Sequence, residues 1–163
     1  MISLAQVNAM TAEEFVVAFG EIAEHSSWVA TGTTRPFVSP AAMVDAFCAV
    51  MLQADEAAQL ALLRAHPDLA TRAKLTTDST NEQKGAGLDR LSAAEFEKFT
   101  DLNNQYKEQN GFPFIFAVKG ATKHQILASF EARIHNARKD EFQVALQQVC
   151  KIIGFRLEAK VSA

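Results

Sequence analysis

Apolar residues recur every three to four positions along most of this chain, the spacing that places side chains on one face of a helix. Met43, Phe47, Val50 and Met51 follow this spacing in the first half of the sequence. A stripe near the C-terminus consists of Phe142, Leu146, Val149, Ile153 and Leu157. The pattern predicts an all-α fold of about seven or eight helices, forming a single domain over residues 1–163.

Helix-start signals precede these apolar stripes. A hydroxyl residue followed three positions later by Glu or Gln can form a capping box, in which each side chain satisfies a free backbone N–H. Pro67 disfavours helical geometry at His66 and so predicts a helix end there, and Gly111 predicts another. The predicted helix starts are Thr11, Ser39, Asp55, Ser79, Ser92, Thr122 and Asp140.

Residues 112–118, of sequence FPFIFAV, interrupt the helical pattern. The stretch is too short and too marked by proline for a confident helix, and no partner strand is evident elsewhere. We therefore expect one extended segment that crosses the helical core. Its backbone groups either bond a flat, amide-rich ligand or are satisfied by neighbouring side chains, since buried backbone groups need partners.

Composition and charge exclude several classes of protein. The net charge of −3 and the scattered Lys and Arg residues argue against binding to nucleic acid. No apolar run reaches the roughly 20 residues of a membrane span, and no secretory signal begins the chain, so a cytoplasmic location is expected. Cys48 and Cys150 lie in apolar helical patterns, which favours small buried hydrophobic residues over a disulfide.

His66 is the first candidate for chemistry. It lies between two predicted helices, where functional side chains are often found, and a free histidine titrates near pH 6.5. The alternative is a surface histidine beside a turn. His66 and Asp68 form the sole pair with ligand-like spacing, so no metal is expected.

Glu82 is the second candidate. As the third residue after Ser79, it could simply accept the backbone N–H of Ser79 in a capping box. Gln83, beside it, has no distinctive signal of its own. From the pattern alone, a capping role for Glu82 competes with a role in proton transfer.

Three stretches together resemble one family. They are HPDLA at 66–70, STNEQ at 79–83 with GAGL at 85–88, and GFPFI at 111–115 preceded by Asn103 and Tyr106. Each motif is weak alone, but their order and spacing resemble the decarboxylases of 2-oxo-4-hydroxy-4-carboxy-5-ureidoimidazoline (OHCU), enzymes of urate breakdown. The resemblance covers nearly the whole chain and favours the catalytic interpretations of His66 and Glu82.

The resemblance implies an all-helical cytoplasmic homodimer that converts OHCU to (S)-allantoin and carbon dioxide without cofactor or metal. By the family pattern, His66 is the catalytic acid and Glu82 its partner. The residues expected to bind substrate are Pro67, Ser79, Gln83, Ile115, Phe116, Ala117, Val118, Lys119 and Arg133. Two alternatives are a non-enzymatic helical adaptor of the same fold and a decarboxylase of a related ureido or imidazolone acid.

Overall fold

The computed structural model describes residues 1–71 and 75–163, and within them nine helices account for most of the chain. This confirms the predicted all-α fold. The helices are α1 Leu4–Ala9, α2 Ala12–Phe19, α3 Trp28–Thr31, α4 Pro40–Gln53, α5 Glu56–Ala65, α6 Thr77–Gly85, α7 Ala93–Asn110, α8 Lys123–Arg133 and α9 Arg138–Lys160. Two short strands, β1 Ile2–Ser3 and β2 Val161–Ser162, pair in parallel.

Most of the predicted helix starts are confirmed. Thr11, Ser92 and Thr122 each form a complete capping box at the start of a helix. Ser39 accepts the backbone N–H of Ala42 at 3.0 Å, with proline at the first helical position of α4. The helix α7 ends at a left-handed glycine, as predicted. Side-chain capping therefore determines several of the boundaries.

Other boundaries differ from the sequence prediction. Asp140 does not cap α9, because that helix already begins at Arg138 and Asp140 lies in its first turn. A carboxylate is also favourable there, since it faces the positive end of the helix dipole. The helices α1 and α3 and the two strands were not predicted, because elements of two to six residues carry no clear periodicity.

Contacts within the chain divide it into two compact units. The first comprises Met1–Ala65 and Val149–Ala163, and the second comprises His66–Gln148. The single domain over 1–163 stays a prediction. In the first unit Met43, Phe47 and Met51 of the predicted stripe of α4 are fully buried, whereas Val50 is half-buried. Arg156 forms a buried ion pair with Glu24, with 2.8 Å between Nη1 and Oε2.

The two cysteines belong to the first unit. Both are free thiols, but they are half-buried rather than fully buried as the sequence suggested. The Sγ of Cys48 lies 3.9 Å from the carbonyl oxygen of Cys150, so the two residues meet between α4 and α9. A weak S–H donor satisfied by a helix carbonyl explains why partial burial is tolerated.

The second unit is built around Tyr106 on α7, which is fully buried. Its ring meets the rings of Phe112, Phe114 and Phe130 in edge-to-face geometry, with centroids 5.4 to 6.0 Å apart. Phe114 in turn stacks on Phe130 at 3.8 Å. Residues 112–118 thus pass through an aromatic core without joining a helix or strand, as predicted.

Across the described parts of the chain, no single helix is long and apolar enough to cross a membrane. The pair Pro40–Gln53 and Glu56–Ala65 meets those criteria only when taken together, and it is bent by 117°. Each helix of the pair buries apolar residues in the first unit.

Candidate active site

The first part of the candidate site is the 66–70 loop, which has the sequence HPDLA. It begins where α5 ends, at Ala65, because Pro67 excludes helical geometry at the preceding residue. His66 is 7% exposed, so the loop carries a histidine that is buried rather than displayed on the surface. The alternative of a surface histidine beside a turn is therefore wrong.

Gln83 on α6 fixes the end of the 66–70 loop. Its Oε1 accepts the backbone N–H of Ala70 at 2.9 Å, and its Nε2 lies 3.5 Å from the carbonyl oxygen of Asp68. Ala70 has a φ of 58°, a left-handed conformation that costs energy for a residue with a Cβ. The hydrogen bond that the N–H of Ala70 donates to Gln83 compensates for this strain.

The helix α7 holds the same loop from a second direction. Asn103 donates from Nδ2 to the carbonyl oxygen of Leu69 at 2.8 Å, and Asn103 is buried. Lys107, one turn further along, forms an ion pair with Asp68 at 2.7 Å. This pair is partly exposed. Side chains from two helices therefore position the backbone that carries His66.

The start of α6 differs from the prediction. The cap is Thr76, whose hydroxyl accepts the backbone N–H of Ser79 at 3.2 Å. Ser79 is therefore inside the helix, and the predicted capping box between Ser79 and Glu82 is wrong. Thr76 can cap because it lies three residues before Ser79, where its hydroxyl reaches a free N–H of the first turn. Glu82 consequently lies beyond the first turn and has no capping role.

One face of α6 is turned inward. Ser79, Gln83 and Ala86 are buried, and Glu82 is half-buried between them. Residues three and four positions apart lie on the same side of a helix, so this face presents Ser79 and Glu82 beside Gln83. Because Gln83 contacts the 66–70 loop, Glu82 and Ser79 are carried toward the same loop.

The second part of the site is the 112–118 segment, whose backbone is held by two side chains. Arg133 donates from Nη1 to the carbonyl oxygen of Ile115 at 2.8 Å. Gln148 accepts the backbone N–H of Ala117 through Oε1 at 2.9 Å. Phe116, between these two anchored residues, is half-buried while its neighbours in the segment are mostly buried. Side chains thus satisfy part of the backbone, one of the two alternatives left open.

Arg133 is part of a buried charge network. Its Nε lies 2.9 Å from Oε1 of Glu141, a carboxylate with no exposed surface. Tyr106 donates to the same oxygen at 2.7 Å, and Asn136 donates to Oε2 at 3.1 Å. Burial, together with the neighbouring Glu141 carboxylate, raises the pKa of Tyr106.

The helix α7 connects the two parts of the site. Asn103 bonds the 66–70 loop, and Tyr106, one turn further along, packs against Phe112 and Phe114 of the 112–118 segment. Side chains three positions apart on a helix are roughly 5–6 Å apart at Cβ. Two stretches that are separated in sequence are therefore attached to one turn of one helix.

Lys119 and Arg133 are the basic residues among those expected to bind substrate. The guanidinium of Arg133 is largely committed to Glu141 and Ile115, and only Nη2 is buried without a hydrogen-bond partner among the described residues. Lys119 lies on the exposed turn that follows the segment. In residues 1–71 and 75–163, no group of three or more His, Cys, Asp or Glu side chains could hold a metal ion.

Two cavities border this unit. One of about 480 Å³ is lined by Thr80, Gln83 and Lys84 of α6 together with Thr71, Leu75, Leu88 and Asp89. The other, of about 340 Å³, shares Thr71, Leu88 and Asp89 with it. Neither lining includes His66 or Glu82 within the part of the chain that the structure describes. Of the residues on the inward face of α6, Gln83 lines the first cavity.

Sequence reasoning missed several residues that position the site. They are Lys107, Glu141 and Gln148. In the sequence, each is a polar residue of a helix, as is typical of a solvent-exposed helix face. The signal on α7 was the polar spacing of Asn103, Tyr106 and Asn110, which repeats every three to four residues and is buried. Burial alone distinguishes such a stripe from a solvated face, and burial depends on the tertiary structure.

Comparison with known proteins shows the family of the chain. The family described as OHCU decarboxylase matches residues 8–158. The chain belongs to this family. A 2-oxo-4-hydroxy-4-carboxy-5-ureidoimidazoline decarboxylase of Haloferax volcanii is 42% identical, and the match covers 99% of this chain and 98% of that protein. A uric acid degradation bifunctional protein of Bacillus subtilis is 39% identical over 96% of this chain, which corresponds to 32% of its own length.

Two solved structures have a similar fold. A crystal structure of (S)-allantoin synthase superposes with a TM-score of 0.77 at 32% identity, covering 98% of this chain. This chain spans about half of that protein, 54% of its length. A crystal structure of OHCU decarboxylase in the presence of (S)-allantoin superposes with a TM-score of 0.71. At 22% identity it supports the fold alone.

Proposed function

We propose that this protein decarboxylates OHCU to (S)-allantoin and carbon dioxide in urate degradation. The observation that carries the proposal is the match over almost the entire chain to a relative named for this reaction, at 42% identity. The chain also has the histidine, glutamate and glutamine of the family motifs. It is accordingly a carbon–carbon lyase.

The chemistry needs few groups from the protein. When the bond to the carboxylate breaks, the electron pair moves into the adjacent ring imine of the substrate. The protein must orient the carboxylate and stabilise charge in the ring. It must also deliver one proton to one face of the ring carbon that bears the ureido group, while the hydroxyl on the decarboxylated carbon loses its proton and becomes the carbonyl. No separate electron sink is required, which fits an enzyme that works without a cofactor.

We assign these tasks to the two parts of the site. His66 delivers the proton, and Glu82 binds or deprotonates the hydroxyl or a ring nitrogen of the substrate. The burial of His66 and the position of Glu82 beyond the first turn of α6 support this assignment. Lys119 and the Nη2 atom of Arg133 are the candidates for the substrate carboxylate.

The remaining contacts are assigned by the same reasoning. Pro67, Ser79 and Gln83 line the pocket on the side of α6, and the backbone of residues 115–119 lines the other side. Partial exposure of Phe116 and Ala117 supports access of a ligand to that backbone. We further propose that the chain forms one domain, works as a homodimer and resides in the cytoplasm.

The proposal is tested with purified protein and freshly prepared OHCU. Spontaneous decay gives racemic allantoin, so catalysis is detected as optical activity in the product, followed by circular dichroism. Racemic product at the spontaneous rate would contradict the proposal. Turnover of a related ureido or imidazolone acid instead would assign the site to that substrate.

Glu82→Gln tests whether the carboxylate of Glu82 handles a substrate proton. Glutamine has nearly the same size but its amide cannot take up that proton. We therefore expect turnover to collapse while the melting temperature stays close to that of the wild type. Asn81→Gln, an exposed change on the same helix, is the control. Retained turnover in Glu82→Gln contradicts the assignment.

A further inference from the structure

Three consecutive residues of the 112–118 segment show an unusual arrangement of hydrogen bonds. The carbonyl of Ile115 accepts from Arg133, and the N–H of Ala117 donates to Gln148. Between them, the backbone N–H and C=O of Phe116 have no hydrogen-bond partner in the part of the chain that the structure describes. Arg133 and Gln148 thus bond the backbone on either side of Phe116 and leave the N–H and C=O of this partly exposed residue unpaired among the described residues.

The planarity of the peptide bond determines the directions in which the N–H and C=O of Phe116 point. In a trans peptide unit, the C=O of one residue and the N–H of the next point to opposite sides. Because the C=O of Ile115 points to Arg133, the N–H of Phe116 points away from Arg133. In the same way, the N–H of Ala117 points to Gln148, so the C=O of Phe116 points away from Gln148.

We propose that Gln148 and Arg133 are positioning residues, which fix two successive peptide planes so that the N–H and C=O of Phe116 face the ligand. The inference rests on the proposed function, and it specifies how the backbone of this site recognises a ureido group. Such a group carries an acceptor and a donor side by side, complementary to one residue's N–H and C=O. Arg133 fixes its peptide plane through Nη1, an atom other than the Nη2 proposed for the substrate carboxylate, and Gln148 needs no contact with the ligand.

Gln148 is the better residue for a test. Arg133 also neutralises the buried Glu141, so changing it would disturb the core. Gln148 is half-buried, and its hydrogen bond to Ala117 is its sole described polar contact. Gln148→Leu removes the acceptor, and Gln148→Glu keeps an oxygen at the same position. Gln147→Leu is the matched control, since Gln147 is exposed on the same helix.

The experiment combines amide NMR with steady-state kinetics on the full chain. Allantoin is titrated into each protein while the amide resonances of Phe116 and Ala117 are followed. In the wild type, we expect the Phe116 amide proton to shift strongly with allantoin and the Ala117 amide to shift less, because Gln148 already occupies it.

The variants give the quantitative part of the test. For Gln148→Leu, we expect the Kd for allantoin and the KM for OHCU to rise roughly tenfold, the size of one well-placed hydrogen bond, with kcat within about twofold of the wild type. Gln148→Glu and Gln147→Leu should stay near the wild type. A Phe116 amide that ignores saturating allantoin, or a Gln148→Leu variant with unchanged Kd, overturns the inference. Equal losses in Gln148→Leu and Gln148→Glu also overturn it, since they point to helix packing.

Failure of the inference and failure of the proposed function give different results. If OHCU decays to racemic product in the presence of the wild type but allantoin still shifts the Phe116 amide, the proposed function is contradicted and the positioning role is supported. If the wild type makes optically active allantoin while the Phe116 amide is unmoved, only the positioning role falls. If neither is observed, both fall.

Discussion

The 66–70 loop and the 112–118 segment both leave helical structure within one unit, yet they are held in different ways. The loop is bound by two neutral amide side chains, Gln83 and Asn103, and by a partly exposed ion pair. The segment is bound by the neutral amide of Gln148 and by the guanidinium of Arg133, which is neutralised by the fully buried Glu141.

This difference predicts that the loop and the segment respond differently to mutation. Neutral hydrogen bonds each contribute modestly, so the loop that carries His66 is held by several weak interactions. A buried ion pair is costly to break, because an unpaired charge then remains in the core. We therefore expect changes at the loop to appear first in turnover, and changes at the anchor of the segment to appear first in stability.

The largest effect is expected at the loop. His66→Asn should reduce kcat by about 100- to 10,000-fold, the usual contribution of a general acid, while the melting temperature changes little. The same substitution at His124, an exposed residue of α8, should leave kcat and melting unchanged. A His66→Asn variant with more than half of the wild-type kcat would remove this residue from the mechanism.

The largest effect on stability is expected at the anchor of the segment. Arg133→Met should lower the free energy of unfolding by about 3–5 kcal/mol, because Glu141 loses its cation in the core. Urea unfolding measures the change. The double variant Arg133→Met/Glu141→Leu should recover much of the loss, since it leaves no unpaired charge. A double variant as unstable as the single one contradicts this explanation.

The third expected effect concerns Tyr106, which is the single tyrosine of the chain. Its pKa is raised in the folded state, so the folded protein keeps a proton that the unfolded chain loses above about pH 10. The contribution of Tyr106 to stability is therefore complete below pH 10 and is lost as the pH rises further. In an alkaline titration, tyrosinate absorbance should appear only with unfolding. Reversible titration near pH 10 in the folded protein would contradict the buried contact with Glu141.

A smaller effect is expected where Gln83 holds the loop. Gln83→Met should lower the free energy of unfolding by about 1–3 kcal/mol, because the N–H of Ala70 loses its acceptor in a buried, left-handed turn. Gln83→Glu retains an oxygen for this N–H and should be closer to the wild type in urea unfolding. If the two variants are equally unstable, the bond to Ala70 does not hold the loop.

The smallest effect is expected at the ion pair between Lys107 and Asp68, the partly exposed contact of the 66–70 loop. Lys107→Met should lower the free energy of unfolding by less than about 1 kcal/mol, since the ion pair with Asp68 is partly solvated, and high salt should reduce the difference. Lys98→Met, which removes an exposed pair with Glu131 from the same helix, provides the comparison. A loss several times that of Lys98→Met would place Lys107 among the strong anchors.

The sequence was sufficient for most of the fold because helix starts and apolar stripes are local signals. Thr11, Ser39 and Ser92 cap helices through side chains that bond within three residues. The same locality explains the mistake at Ser79. Thr76 offers an equivalent hydroxyl three residues earlier, and local chemistry does not decide between the two.

The site was predictable only in part. His66 and Glu82 belong to recognisable motifs, but their surroundings depend on contacts between distant parts of the chain. Gln148 and Ala117 are 31 residues apart, and Arg133 and Ile115 are 18 apart. No periodicity in the sequence records such pairs, because a buried glutamine and a solvated one occupy the same kind of helical position.

The positions of the single tryptophan and the single tyrosine allow the cooperativity of unfolding to be measured spectroscopically. The tryptophan, Trp28, lies in the unit formed by Met1–Ala65 and Val149–Ala163, and the tyrosine lies in His66–Gln148. Tryptophan emission and the near-ultraviolet dichroism of the tyrosine therefore follow separate units without labels. Coincident transitions by both signals indicate all-or-none unfolding, and separate midpoints indicate two independently melting parts.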